Sequence, residues 1–162
     1  VLTFTSDEAW SFGTDKTEYA QDSVHLQDWP EAPAAWHHPE LETEVAALLK
    51  IRAQVNERIE PHRAAGKLGK SLDAAITLAV PESDQPALAL LEKHRDFLPE
   101  LFIVSHVALS SSSAPTLSVD VRPCQELGYI RCPRCWRWVP SLAATIQGEV
   151  CPRCAEALKP QA

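Results

Sequence analysis

A chain of 162 residues with 45% hydrophobic residues is long enough to bury a real core, as one ordinary domain or two small ones. No apolar run approaches the roughly 20 residues that span a bilayer, and the start "VLTFTSDEAW" lacks the basic region and small-residue cleavage site of a secretory signal, so neither a membrane protein nor an exported one is expected. The net charge of −7 is unevenly spread: residues 1–127 hold ten basic and twenty acidic residues, whereas 128–162 hold five basic and two acidic, which favours a polyanionic partner such as nucleic acid at that end.

The chain contains no methionine, so it is read as a piece of a longer polypeptide, with a processed chain as the second reading. Within residues 1–20, "TSDE" predicts a short helix capped near Thr5 or Ser6, a hydroxyl ahead of two first-turn carboxylates. From Gly13 to Pro39, the prolines Pro30, Pro33 and Pro39 and the scattered Tyr19, Trp29 and Trp36 predict an irregular connection pinned by large side chains against a neighbouring surface. Those apolar side chains also predict weak self-association.

From Glu40 to Ala65, Leu41, Val45, Leu48, Leu49, Arg52, Val55 and Ile59 recur at three- and four-residue steps, the pattern of a long amphipathic helix. Pro61 is expected to kink or end it about a turn before Gly66. Further on, Leu72–Val80 reads as a strand and Pro86–Phe97 as a second helix. Leu101–Leu109 and Leu117–Val121 read as two strands flanking a serine-rich turn at Ser110–Pro115. The fold class is therefore α+β: a long helix with a small α/β module, followed by a cysteine-bearing tail.

In that tail, Cys132-Pro133-Arg134-Cys135 and Cys151-Pro152-Arg153-Cys154 form C-x2-C-x15-C-x2-C. A C-x2-C turn aims both sulfurs at one point, and two such turns joined by a hairpin complete the tetrahedral all-sulfur shell of a closed structural zinc site. Two disulfides and a rubredoxin-like iron centre are the competing readings. A site with four protein ligands leaves no open position for water, so metal-assisted hydrolysis is not expected, and the metal serves as the staple that a loop-rich segment of about 35 residues requires. Cys124, eight residues before the motif, reads as a buried thiol at a strand end.

The residues between the paired cysteines sit on turns whose sulfurs point inward, which predicts that Arg134 and Arg153 face solvent, joined by Arg131, Arg137 and Lys159 as phosphate-binding groups. Trp136 and Trp138 alternate, so on an extended strand they would share one face, either as part of the module's core or as a platform for an unpaired base. Lys67 and Lys70 in "GKLGKS" miss the spacing of a phosphate loop and read as a turn leading into a strand. His25, His37, His38, His62, His94 and His106 show no ligand spacing, and Glu40, Glu42 and Glu44 read as a solvated helix start.

These motifs carry a resemblance. "RCPRCWRW" followed by "VCPRCAEAL" resembles the C-terminal zinc motif of bacterial isoleucyl-tRNA synthetases. "LTFTSDEAW" is similar to the segment closing the helical anticodon-binding domain of the isoleucyl, valyl and leucyl group of class I synthetases, and "IRAQVNERIEPHRAAGKLGKSLDAAITL" resembles the helix, loop and strand that follow it. The resemblance implies a C-terminal fragment in three parts: 1–38, the tail of the anticodon-binding helices; 39–124, a small α/β junction domain; and 125–162, a zinc-ribbon-like four-cysteine module. It implies one structural zinc on Cys132, Cys135, Cys151 and Cys154. Its partners would be the rest of the synthetase chain and a transfer RNA, gripped at the anticodon loop by Arg131, Arg134, Trp136, Arg137, Trp138, Arg153 and Lys159, in a cytoplasmic setting.

The family's adenylation signatures, His-Ile-Gly-His and Lys-Met-Ser-Lys-Ser, are missing from these residues. No catalytic residue is therefore assigned, and ATP would be used only by a catalytic domain outside this chain. Two other readings stay open: a zinc module that only docks and stiffens the enzyme, and the nucleic-acid-binding finger of a DNA-repair glycosylase, whose N-terminal catalytic proline this chain lacks.

Overall fold

The computed structural model describes residues 2–13, 23–146 and 148–159, and the chain separates into two compact units, Val1–Pro39 and Glu40–Ala162. Tyr19 lies outside the described residues. In the first unit, helix α1 spans Thr3–Ser11 with Leu2 at its N-cap, so the expected cap at Thr5 or Ser6 is displaced by about a turn. The Ser6 hydroxyl instead donates back to the Leu2 carbonyl at 2.5 Å, the local back-bonding that a serine inside a helix adopts. Asp7 accepts from the Ser23 hydroxyl (2.5 Å) and from the Val24 backbone N–H (3.2 Å), which fastens the short 3-10 turn Val24–Leu26 to α1. Trp29 and Trp36 are 95% and 74% exposed, so neither pins the connection as expected.

The second unit begins with α2, Pro39–Ala64 (Pro39 itself counted in the first unit). Leu48, Ile51, Val55 and Ile59 recur at helical spacing and are all buried. The helix runs three residues past Pro61, so it does not end there. Ile59 and Leu68, on either side, are both held in the same core, and this packing overrides the local cost of proline. The chain turns at Gly66 (φ 69°), where the N–H groups of Lys67 and Leu68 close on the His62 carbonyl at 2.9 and 3.3 Å.

Strand β1 (Ala74–Pro81) is followed by α3 (Gln85–Lys93), α4 (Leu98–Phe102), β2 (His106–Ser112) and β3 (Ser118–Pro123). The sheet order is β2-β1-β3, with β1 parallel to β2 and antiparallel to β3. The parallel pair requires the helical crossover that α3 and α4 supply. Two expectations change here. The segment predicted as one helix over Pro86–Phe97 ends at Lys93, with a separate short helix starting at Leu98, and Leu101 and Phe102 are helical, so β2 begins at His106 and extends into the serine run.

Ile76, Leu78 and Val80 on β1 join Leu91, Leu98, Phe102, Val104 and Val121 and the buried side of α2 in one core. Val107 and Leu109 of β2 and Val119 of β3 complete that face; the alternate positions Ala75, Thr77 and Ala79 pair with His106, Ala108 and Ser110 on the other. Glu44 of α2 receives Lys93 Nζ at 2.6 Å and lies 2.8 Å from His94 Nε2, which ties the helix to the end of α3. These hydrogen bonds hold the Glu44 carboxyl below its ordinary range. Among the described residues no helix is long and apolar enough to cross a membrane.

Candidate metal centre and nucleic-acid interface

After β3 the chain passes through the 3-10 turn Cys124–Leu127 and forms two small hairpins, β4 (Ile130–Arg131) with β5 (Trp138–Val139) and β6 (Ala143–Thr145) with β7 (Gly148–Val150), before the terminal helix α5 (Pro152–Ala157). The first cysteine pair lies on the turn of the β4–β5 hairpin, where the Cys132 N–H donates to the Arg137 carbonyl at 2.8 Å and the Trp136 N–H to the Cys132 carbonyl at 2.9 Å. The second pair is built differently. Cys151 caps α5, Pro152 opens it and Cys154 sits in its first turn, with the Ala155 N–H bonded to the Cys151 carbonyl at 2.9 Å. The cause is local: Ala-Glu-Ala after Cys154 favours helix, and Trp-Arg-Trp after Cys135 favours strand.

The four sulfurs lie within 4.8 Å of one another, and Cys135 and Cys151 are 3.6 Å apart. A tetrahedron of zinc–sulfur bonds of about 2.3 Å has edges of about 3.8 Å, so the set fits a four-coordinate thiophilic metal. None of the cysteines is disulfide-bonded. Cys132, Cys151, Cys154 and Val150 are buried, with Val139, Leu142 and Leu158 packed around them, a core too small to hold a segment of this length by itself. Burial works against ionisation of Cys132, but backbone N–H groups, those of Cys135 and Cys151 first, outweigh it and bring its thiol down to about 6. Burial pushes Cys135 up to about 12 and raises Cys151 as well. A bound cation would supply the compensation that a second and third thiolate in this space require.

Cys124 is fully buried at the end of β3 and stands apart from the cluster; burial and the nearby Asp73 carboxylate push its thiol up to about 11, as befits an inert core thiol.

The two tryptophans do not share a face. Trp136 adopts a left-handed backbone (φ 65°), which breaks the extended run, and is 52% exposed, whereas Trp138 starts β5 and is half-buried. A non-glycine residue in that conformation costs about 1–2 kcal/mol. The knuckle demands it, since the Trp136 N–H closes onto the Cys132 carbonyl. Trp138 faces the α/β module: its indole N–H donates to Asp73 Oδ1 at 2.9 Å, and its backbone N–H donates to Ser105 Oγ at 2.8 Å. Ser105 Oγ in turn donates to the Leu72 carbonyl at 2.5 Å.

The basic residues also separate. Arg134 is exposed yet does not stand clear of the cluster: its guanidinium lies 3.5 Å from Cys154 Sγ, drawn by the charge the sulfurs concentrate. Arg153 pairs with Glu100 at 3.0 Å and Lys159 with Glu156 at 2.5 Å, both at the surface. Arg131 reaches over the Trp136 ring, 5.6 Å from its centroid, and Arg137 is half-buried on the hairpin between the tryptophans. Sequence reasoning missed Lys70, whose ammonium lies 4.8 Å from the same ring centroid, and the joint residues Asp73 and Ser105.

With this geometry in place, comparison with known proteins is decisive. Residues 1–78 match the family described as the anticodon-binding domain of tRNA ligase. Proteins named isoleucine–tRNA ligase match nearly all of the chain. That from Brachyspira hyodysenteriae is 38% identical over 164 residues, covering 98% of this chain and 17% of the relative. Those from Thermotoga petrophila and Natranaerobius thermophilus are 37% and 34% identical, again over 98% of this chain, and 17% and 18% of the relatives. Over nearly its whole length the chain is similar to isoleucine–tRNA ligases. It spans about one-sixth of the length of these relatives, and its match continues past the anticodon-binding region through both cysteine pairs.

Proposed function

We propose that this chain is the transfer-RNA-recognition part of an isoleucine–tRNA ligase, acting in the cytoplasm, with aminoacylation carried out by a catalytic domain outside these residues. It divides into the tail of the anticodon-binding helices (1–38), an α/β junction (39–124) and a four-cysteine module (125–162). Zinc on Cys132, Cys135, Cys151 and Cys154 would act as a structural staple without an open coordination position. The basic face of that module contacts the anticodon loop through Arg131, Arg134, Arg137 and Arg153, with Lys159 at its margin.

The observation that carries this reading is Trp136, held half-exposed in a strained backbone conformation on the first knuckle with cations beside its ring. Unpaired loop bases stack on such aromatic faces, and guanidinium groups bind the intervening phosphates. Trp138, bonded to Asp73, belongs to the joint rather than to the stacking face. In the first unit, Leu2, Phe4, Phe12 and Trp29 are 72–95% exposed, which suits docking against the remainder of a longer synthetase chain.

A purely structural module is the second reading, favoured by the Arg153–Glu100 pair and the Trp138 bonds that fasten the finger to the α/β module. Neutralising Arg134, Arg137 and Arg153 together to glutamine separates the two. The expected result is a loss of at least about tenfold in affinity for an isoleucine anticodon stem-loop at unchanged zinc content, since several charge-assisted contacts are removed. Unchanged affinity would leave the finger a structural role only.

A further inference from the structure

Of the basic side chains around the finger, Arg153 is matched by Glu100 and Lys159 by Glu156, while Arg134 lies against Cys154 Sγ and Arg137 is half-buried on its hairpin. Lys70 and Arg131 differ. Among the described residues neither forms an ion pair, and both lean on one exposed indole, that of Trp136, at 4.8 and 5.6 Å from its centroid. One of the two cations comes from the four-cysteine module and the other from the loop that joins α2 to β1, so the arrangement exists only because the two modules are fixed against each other.

The means of fixing them is also visible. Asp73 uses one carboxylate oxygen to accept the Lys70 backbone N–H at 2.8 Å and the other to accept the Trp138 indole N–H at 2.9 Å. One side chain thus holds Lys70 and a tryptophan two residues beyond Trp136. Leu68, 3% exposed, anchors the same loop in the core. A lysine on a flexible surface loop would lose much side-chain entropy on meeting a phosphate; a lysine whose backbone is pinned and whose ammonium is drawn to an aromatic face loses less.

From this we infer that Lys70 and Arg131 form, with Trp136 between them, a composite phosphate subsite, and that Lys70 binds a backbone phosphate of the RNA beside the nucleotide at Trp136. The inference rests on the RNA-binding reading above and extends the RNA interface beyond the cysteine module onto the α/β module. Two unpaired cations next to an aromatic face match the alternation of phosphate and base in a single strand, where the cations take charge and the ring takes a base in place of one cation. Asp73 is a positioning residue in this arrangement and does not touch the RNA.

The test uses the zinc-loaded chain and an isoleucine anticodon stem-loop RNA, with affinity measured across a series of salt concentrations. Each phosphate contact in a single-stranded region contributes about 0.7 to the slope of log affinity against log salt. Lys70→Ala is expected to weaken binding several-fold and to reduce that slope by about 0.7, Lys70→Arg to restore the slope, and Lys67→Ala, one turn of the loop away, to change neither. In a double-mutant cycle the effects of Lys70→Ala and Trp136→Ala are expected to be non-additive. If wild type binds and Lys70→Ala leaves affinity and slope unchanged, the composite subsite is wrong while RNA recognition by the finger stands. If wild type does not bind the stem-loop even at low salt, both readings fall.

Discussion

Cys151→Ser is expected to unfold residues 125–162 while leaving the α/β module folded. Cys151 is 2% exposed, its sulfur lies 3.6 Å from that of Cys135, and its backbone N–H donates to Cys132 Sγ at 3.3 Å, so it links the two knuckles directly. The hydrophobic content of the module, chiefly Val139, Leu142, Val150 and Leu158, cannot offset the ordering of more than thirty residues at about 1.5 kcal/mol each. Structural zinc sites supply roughly 10–16 kcal/mol of apparent binding energy at neutral pH, and the substitution removes most of it. The α/β core contains none of these cysteines. In methyl NMR spectra Val150 and Leu158 should collapse to random-coil shifts, Val80 and Leu91 should stay dispersed, and chelation of the wild-type chain should give the same pattern. Retention of native Val150 and Leu158 shifts in Cys151→Ser would show that the finger does not depend on a metal. The same logic makes metal affinity fall as pH falls, because each ligating thiol must lose its proton.

Phe102→Ala carries the second large effect and acts on the other module. Phe102 is 1% exposed, the largest of the fully buried side chains, and sits where α4 ends against Leu98, Val104 and the even-numbered face of β1. Truncating a buried phenylalanine costs about 3–5 kcal/mol in transfer and cavity terms, a large share of the roughly 5–15 kcal/mol typical of a domain. The loss also reaches the finger. Ser105, three residues on, donates its backbone N–H to the Ala74 carbonyl at 3.0 Å and receives the Trp138 N–H, so loosening α4 loosens the joint. Denaturant titration should show a matching fall in midpoint, with Phe97→Ala, at a 48% exposed position, changing it by less than about 1 kcal/mol.

The parts legible in the sequence were those governed by short-range rules. The three- and four-residue steps from Leu41 to Ile59 declare α2, although Leu41, Val45 and Leu49 stay exposed and Ile51, outside the named pattern, is buried; the C-x2-C-x15-C-x2-C spacing declares a cluster that the fold does assemble. Errors arose where tertiary packing overrode local signals. Pro61 reads as a kink or an end, yet the helix continues past it to Ala64 and the core holds the chain on both sides. Leu101 and Phe102 look like strand residues, but the turn at Pro99 gives them to a helix that fills the core. The alternation of Trp136 and Trp138 suggests one face, and the backbone reversal at Trp136, imposed by the knuckle, separates one tryptophan into the joint and the other toward solvent.

Lys70 could not be found from sequence at all. It is 66 positions from Trp136, and nothing in "GKLGKS" distinguishes Lys70 from Lys67; only the Asp73 carboxylate, bonded to both modules, brings it to the ring. The pairing of Glu100 with Arg153 and of Glu156 with Lys159 narrows the free cationic face to the residues around Trp136.

The central claim is that the stapled finger is the RNA-recognising surface, and the most direct measurement compares the affinity of the zinc-loaded and the chelated chain for an isoleucine anticodon stem-loop. The expected result is salt-dependent binding by the zinc-loaded chain and a loss of at least about tenfold on chelation, with the α/β module still folded. Equal affinity with and without the metal would contradict the claim and place RNA recognition on residues outside the four-cysteine module.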